Sequence, residues 1–103
     1  MNNSRFEGDG SFKEDEILDL SQELILTVFT KPGCQPCLEL KKKLRLWGFA
    51  FTEYNIEEYN VAKYFLKVNG HKTVPQLYFK AQNINAGIDV SNLTIEDIRK
   101  YYV

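Results

Sequence analysis

The chain has 103 residues, 44% of them apolar and 26% charged, which suits one packed domain and leaves no room for two cores. Thirteen basic against fourteen acidic residues leave a net charge of −1, which excludes the basic footprint of a nucleic-acid binder. No apolar run approaches the roughly eighteen residues of a membrane span, and the acids within residues 1–16 exclude a secretory signal, so a cytoplasmic location is expected.

Residues 1–22 read as a flexible or loosely docked leader, polar at its start, with Phe6 and Phe12 as candidate anchors and a short helical turn at Ile17, Leu18 and Leu20. The domain proper covers 23–103. Leu24–Phe29 is a continuous apolar run, partly β-branched, which predicts a strand buried on both faces. Thr30–Gly33 breaks it. Cys37, Leu40, Leu44 and Trp47 then recur at three- and four-residue spacing, one face of a helix that Gly48 stops. Lys41, Lys42, Lys43 and Arg45 fill the remaining positions and read as its solvated face. Phe49–Tyr54 predicts a second strand. Glu57–Asn69 predicts a second helix with Val61, Tyr64, Phe65 and Val68 inward, ended by Gly70. Thr73–Phe79 predicts a third strand, and Asn83–Asn85 a short fourth one after a tight turn. Thr94 and Asp97 form a capping-box pair at the start of a last helix, packed down by Ile95, Ile98 and one of Tyr101 and Tyr102. The order β-α-β, α, β-hairpin, α implies an α/β fold. Two parallel strands are joined by a right-handed helical crossover, and a hairpin lies antiparallel in the same four-stranded mixed sheet.

The chemistry concentrates in Cys34-Gln35-Pro36-Cys37, at the joint between the first strand and the first helix. Backbone N–H groups at a helix start lack intrahelical partners, and the helix dipole adds partial positive charge there. A thiolate at Cys34 is stabilised in that place, so it can attack disulfides near neutral pH. Cys34 is expected in an open loop, and Cys37, almost one turn on, faces inward and can reach back to it. Pro36 costs the first turn no hydrogen bond. Two alternatives stay open on these residues. One is a zinc site with His71 as third ligand, although no second cysteine pair exists; the other is thiols that merely pack. Otherwise His71 reads as a surface loop residue.

The segment Thr30-Lys31-Pro32-Gly33-Cys34-Gln35-Pro36-Cys37 resembles the active-site segment of the glutaredoxins, and Thr73-Val74-Pro75-Gln76-Leu77-Tyr78-Phe79 resembles their second signature. The likeness spans about Leu24 to Val103. It implies a thioredoxin-like fold, a cis proline at Pro75 and a monomeric thiol–disulfide oxidoreductase with Cys34 and Cys37 as its catalytic pair. It also implies a glutathione-binding set of Lys31, Gln35, Pro36, Lys72, Thr73, Val74, Pro75, Gly87, Ile88 and Asp89. In that set Lys31 meets a glutathione carboxylate, Lys72 assists, the Val74 backbone pairs with the glutathione cysteine, and Asp89 lies near the γ-glutamyl amine. Glutathione is the implied co-substrate; no permanently bound cofactor and no metal are implied. The implied partners are disulfide-containing or glutathionylated proteins, ribonucleotide reductase among them, with no nucleic acid and no membrane. The sequence departs from the family in two places. Proline stands third in the Cys-Gln-Pro-Cys motif, as in thioredoxins, and Ala86-Gly87 stands for the usual Gly-Gly after one inserted residue. Both departures lean toward one alternative, a redoxin recharged by thioredoxin reductase that binds glutathione poorly. A different class is a non-catalytic or iron–sulfur-binding module on the same fold, against whose usual single-cysteine form the paired cysteines argue.

Overall fold

The computed structural model describes residues 18–102. Four strands form one mixed sheet in the order β2-β1-β3-β4. β1 (Leu26–Thr30) runs parallel to β2 (Phe51–Asn55) and antiparallel to β3 (Gln76–Phe79), which in turn pairs antiparallel with β4 (Gln82–Asn83). α1 (Gln35–Leu46) makes the crossover from β1 to β2, α2 (Asn60–Val68) leads to the hairpin, and α3 (Ile95–Arg99) closes the chain. The arrangement is the thioredoxin-like α/β fold.

β1 is buried along its whole length, as a strand inside the sheet with packing on both faces must be. Leu26 and Val28 face a core shared with Leu40 and Leu44 of α1, Leu77, and Ile98 of α3. Phe29 points the opposite way into a second core with Ile56, Tyr78, and Ala62 and Leu66 of α2. Its ring stacks on Phe65 at 5.1 Å and meets Tyr78 edge-on at 5.9 Å. Leu20 is buried in this second core and Leu18 packs against it, so that part of the leader is docked. Ile17, Phe6 and Phe12 lie outside the described residues, and Leu18–Leu20 carries no helical turn.

Several element bounds differ from the sequence reading. β1 begins two residues after Leu24, which is 78% exposed. β2 begins at Phe51 and not at Phe49, because the amide of Phe49 turns back to the Leu44 carbonyl in closing α1. α2 begins at Asn60, since Asn55 captures the preceding amides: its side chain accepts from Glu57 N–H and its carbonyl from those of Glu58 and Tyr59. The inward face of α2 is Ala62, Phe65 and Leu66 and not the stripe through Val61 and Val68; Val68 is 63% exposed. β3 starts only at Gln76, after the Pro75 nitrogen, which has no hydrogen to give. β4 sits one residue early and is two residues long. The capping box at Thr94 and Asp97 forms with both bonds in place. Tyr101 packs on the first core, and Tyr102 stacks on Phe79 at 4.5 Å while keeping an exposed edge.

The lysine face of α1 is only partly solvated. Lys41 is paired with Glu53 at 2.9 Å. Lys43 donates to the carbonyl oxygens of Val90 at 2.7 Å and Leu93 at 3.1 Å, pinning the 3-10 turn Val90–Asn92 onto α1.

Candidate active site

Pro32 and Gly33 turn the chain from the end of β1 into α1, and Gly33 takes a φ of +75°, a left-handed value that side-chain-bearing residues rarely adopt. Cys34 is the N-cap of α1. Its sulfur accepts the Cys37 N–H at 3.1 Å, which satisfies one of the free donors of the first turn. The same donor favours negative charge on that sulfur once the pair is reduced. Cys34 and Cys37 are joined in a disulfide with 5.2 Å between their Cα atoms. Cys34 is not in an open loop: it is 8% exposed, against 2% for Cys37. The Cys34 backbone enters the helix directly and its side chain lies against the Val74 segment, which accounts for the cover.

The Val74–Pro75 peptide bond is cis, and the Val74 carbonyl oxygen lies 3.9 Å from the Cys34 sulfur. Among the described residues no backbone group pairs with the N–H or C=O of Val74. Beside it runs a groove of about 560 Å³ whose lining includes Pro36, Thr73, Val74 and Pro75 together with Gly87, Ile88 and Asp89. Seven residues of the implied binding set therefore share one cavity. Lys31 does not line it. It borders a separate cleft of about 230 Å³ with Cys34, Cys37, Lys41, Glu53 and Asn55. Gln35 and Lys72 are exposed and line neither.

In the lining of the smaller cleft, Glu53 accepts from Thr30 Oγ1 at 2.7 Å and from Lys41 Nζ at 2.9 Å. Burial alone would raise this carboxyl; the two hydrogen bonds and the charges of Lys41 and Arg45 bring it below the ordinary carboxylate value. His71 is not a free loop residue. Its Nε2 lies 2.7 Å from the Tyr78 hydroxyl, and burial pulls the imidazole below its ordinary value while raising the phenol of Tyr78. While that bond is kept, His71 offers a metal only its Nδ1. Among the described residues no group of three or more His, Cys, Asp or Glu is placed to hold a metal ion.

Sequence reasoning missed a carboxamide lattice in the lining of the larger groove, formed by Gln76, Asn83 and Asn85. Gln76 Nε2 donates to the Thr73 carbonyl at 3.0 Å, and Asn85 Nδ2 to the Pro75 carbonyl at 3.2 Å. Asn83 Nδ2 lies between them, 3.3 Å from Gln76 Oε1 and 3.1 Å from Asn85 Oδ1. The signal was three carboxamides on the two arms of one hairpin, where side chains from facing strands meet.

Comparison with known proteins agrees with this geometry. The glutaredoxin family model matches residues 26–84. The hybrid peroxiredoxin hyPrx5 of Haemophilus influenzae is 29% identical over 77 residues, which is 75% of this chain and 29% of that protein. The chain thus spans under a third of that curated relative's length. Among solved structures, the buckwheat glutaredoxin–glutathione complex is 21% identical with a TM-score of 0.54, covering 74% of this chain and 69% of that one. Reduced glutaredoxin C1 of Populus tremula x tremuloides is 19% identical with a TM-score of 0.57, covering 80% and 70%. The thioredoxin-like protein BC3987, in a mutant form, reaches a TM-score of 0.58 at 18% identity, covering 75% and 92%. At these identities the structures share the fold.

Proposed function

The chain belongs to the glutaredoxin family, and from that premise we propose that it is a thiol–disulfide oxidoreductase that draws its electrons from glutathione and reduces protein disulfides and glutathionylated proteins. The observation that carries this reading is the Val74 backbone, without a backbone partner among the described residues, beside the Cys34 sulfur and in the lining of a groove of about 560 Å³. An extended peptide can pair with Val74 as an added strand, which brings its own cysteine sulfur to Cys34.

The Cys34 thiolate attacks the sulfur of the bound mixed disulfide; that S–S bond breaks and the protein thiol leaves with a proton from solvent. Cys37 then displaces glutathione from Cys34, which yields the Cys34–Cys37 disulfide present in this structure. Two further glutathione molecules return the pair to dithiol and leave as glutathione disulfide, so two electrons pass per turnover. Asp89 and the Gly87–Ile88 backbone contact the γ-glutamyl end, while Lys31 meets a carboxylate from the side of the smaller cleft. Ribonucleotide reductase in the cytoplasm is one candidate client. The match to a hybrid peroxiredoxin favours a second, a thiol peroxidase whose oxidised cysteine needs reduction.

The test is turnover of a glutathionylated peptide, coupled to NADPH through glutathione and glutathione reductase in one arm and through thioredoxin reductase in the other. Turnover in the first arm supports glutathione as the electron source. Turnover confined to the second assigns the chain to the reductase-coupled redoxins.

A further inference from the structure

The carbonyls on either side of Val74 are both tied down, and by side chains of one network. Thr73 C=O is held by Gln76 and Pro75 C=O by Asn85, while Val74 between them has no backbone partner among the described residues and its carbonyl oxygen lies 3.9 Å from the Cys34 sulfur. Asn85 also interrupts the hairpin. Ile84 N–H donates to Leu77 C=O at 2.8 Å as a ladder bond, but Leu77 N–H goes to the Asn85 side-chain oxygen at 3.0 Å. The carboxamide thus replaces a backbone partner, and β4 ends at Asn83. From the same residue the chain leaves sheet geometry: Asn85 C=O accepts from Ile88 N–H at 3.0 Å, closing a turn whose residues also line the groove. One side chain therefore bonds to the Val74 segment while its own backbone holds the Gly87–Asp89 turn.

We propose that Asn85, together with Gln76 and Asn83, is a positioning residue that sets the distance between the Val74 edge and the Gly87–Asp89 wall, and so selects extended peptide disulfides over small aliphatic ones. The inference rests on the reading that a thiol peptide pairs with Val74. The lattice touches neither sulfur, so it acts on binding of the peptide backbone and not on attack by Cys34. A polar network whose members all have partners is stiff, and it loses its geometry when one member is removed. Uniform loss of ground-state and transition-state binding raises the half-saturation concentration and leaves the limiting rate alone.

The experiment is single-turnover oxidation of the reduced full chain by glutathione disulfide or by bis(2-hydroxyethyl) disulfide, quenched with acid and read by mass spectrometry. In each reaction the two thiols of Cys34 and Cys37 give up two electrons and one external disulfide becomes two thiols, so both oxidants report the same chemistry. Asn85→Ala and Gln76→Met carry no charge change, and Asn85→Ser retains a polar group too short to reach Pro75. For each variant we expect the half-saturation concentration for glutathione disulfide to rise about tenfold, with the limiting rate and the bis(2-hydroxyethyl) disulfide reaction within about twofold of wild type. Circular dichroism at the assay temperature confirms the fold. An unchanged half-saturation concentration in Asn85→Ala and Gln76→Met overturns the proposal and leaves the Val74 reading standing. Equal slowing with both oxidants also overturns it. If the wild type itself shows no preference for the peptide disulfide, the Val74 reading falls, and this inference with it.

Discussion

The Tyr78 hydroxyl lies 2.7 Å from Nε2 of His71, a bond that joins the loop after α2 to the centre of β3. The His71 amide is also committed, donating to the Leu66 carbonyl at 2.8 Å, so the loop is held at both backbone and side chain. Because burial lowers the imidazole below its ordinary value near 6.5, the unfolded chain takes up a proton before the folded one does. Stability is then level above about pH 6.5 and falls as pH drops below it, until the folded imidazole also protonates. Urea midpoints measured from pH 5 to 8 should show that decline, and His71→Gln should flatten it. An identical pH profile in the variant would remove His71 from the linkage.

Lys43 is expected to matter more than a surface lysine. Its two hydrogen bonds hold the carbonyls of Val90 and Leu93, whose side chains are buried. Lys43→Met keeps an unbranched apolar side chain and removes the ammonium, which also lies 5.8 Å from the centre of the Trp47 ring. The loss should be about 2 kcal/mol, the scale for hydrogen bonds to a charged group. Urea denaturation checks it through a lower midpoint at unchanged slope. A change within error would mean that water replaces the ammonium at no cost.

Lys31 and Asp89 lie in different cavities, with Cys34 bordering the one that holds Lys31. If glutathione bridges the two, Lys31→Ala and Asp89→Ala should each raise KM for a glutathionylated peptide several-fold, and their effects should add in the double variant because no partner is shared. Steady-state kinetics on the three variants decide this. A flat KM at Lys31 alone would confine the ligand to the larger groove.

The two cysteines should separate cleanly. Cys34 is the more exposed sulfur and receives the Cys37 amide, whereas Cys37 faces Leu40 and Leu44. On the reduced protein, iodoacetamide should therefore label Cys34 first, as peptide mapping would show. Cys34→Ser should abolish all turnover. Cys37→Ser should lose reduction of protein disulfides, which need a resolving thiol, and retain removal of glutathione from proteins. Preferential labelling of Cys37 would reverse the assignment of the nucleophile.

Local rules carried the sequence a long way. Apolar runs and three-four spacing marked the first three strands and the three α-helices, though not the 3-10 turn Val90–Asn92. The Gly33–Cys34 junction placed the cysteine pair at a helix start, and Thr94 with Asp97 announced its cap. Each of these depends on residues within one turn or one strand of each other, where spacing alone sets geometry. Tertiary structure decided the rest. The phase of α2 came from what Phe29 and Tyr78 present to Ala62 and Leu66, which no pattern inside the helix encodes. Lys43 left the solvated face because the carbonyls of Val90 and Leu93, about fifty residues away, were brought within its reach. Lys31 and Asp89, both implied at one ligand, were set in different cavities. Asn85, unremarkable in a polar turn, became the link between two groove walls because a cis-proline segment from an adjacent strand ended beside it. Such roles arise from unmet hydrogen-bonding groups brought together by the fold, and those groups have no fixed separation along the chain.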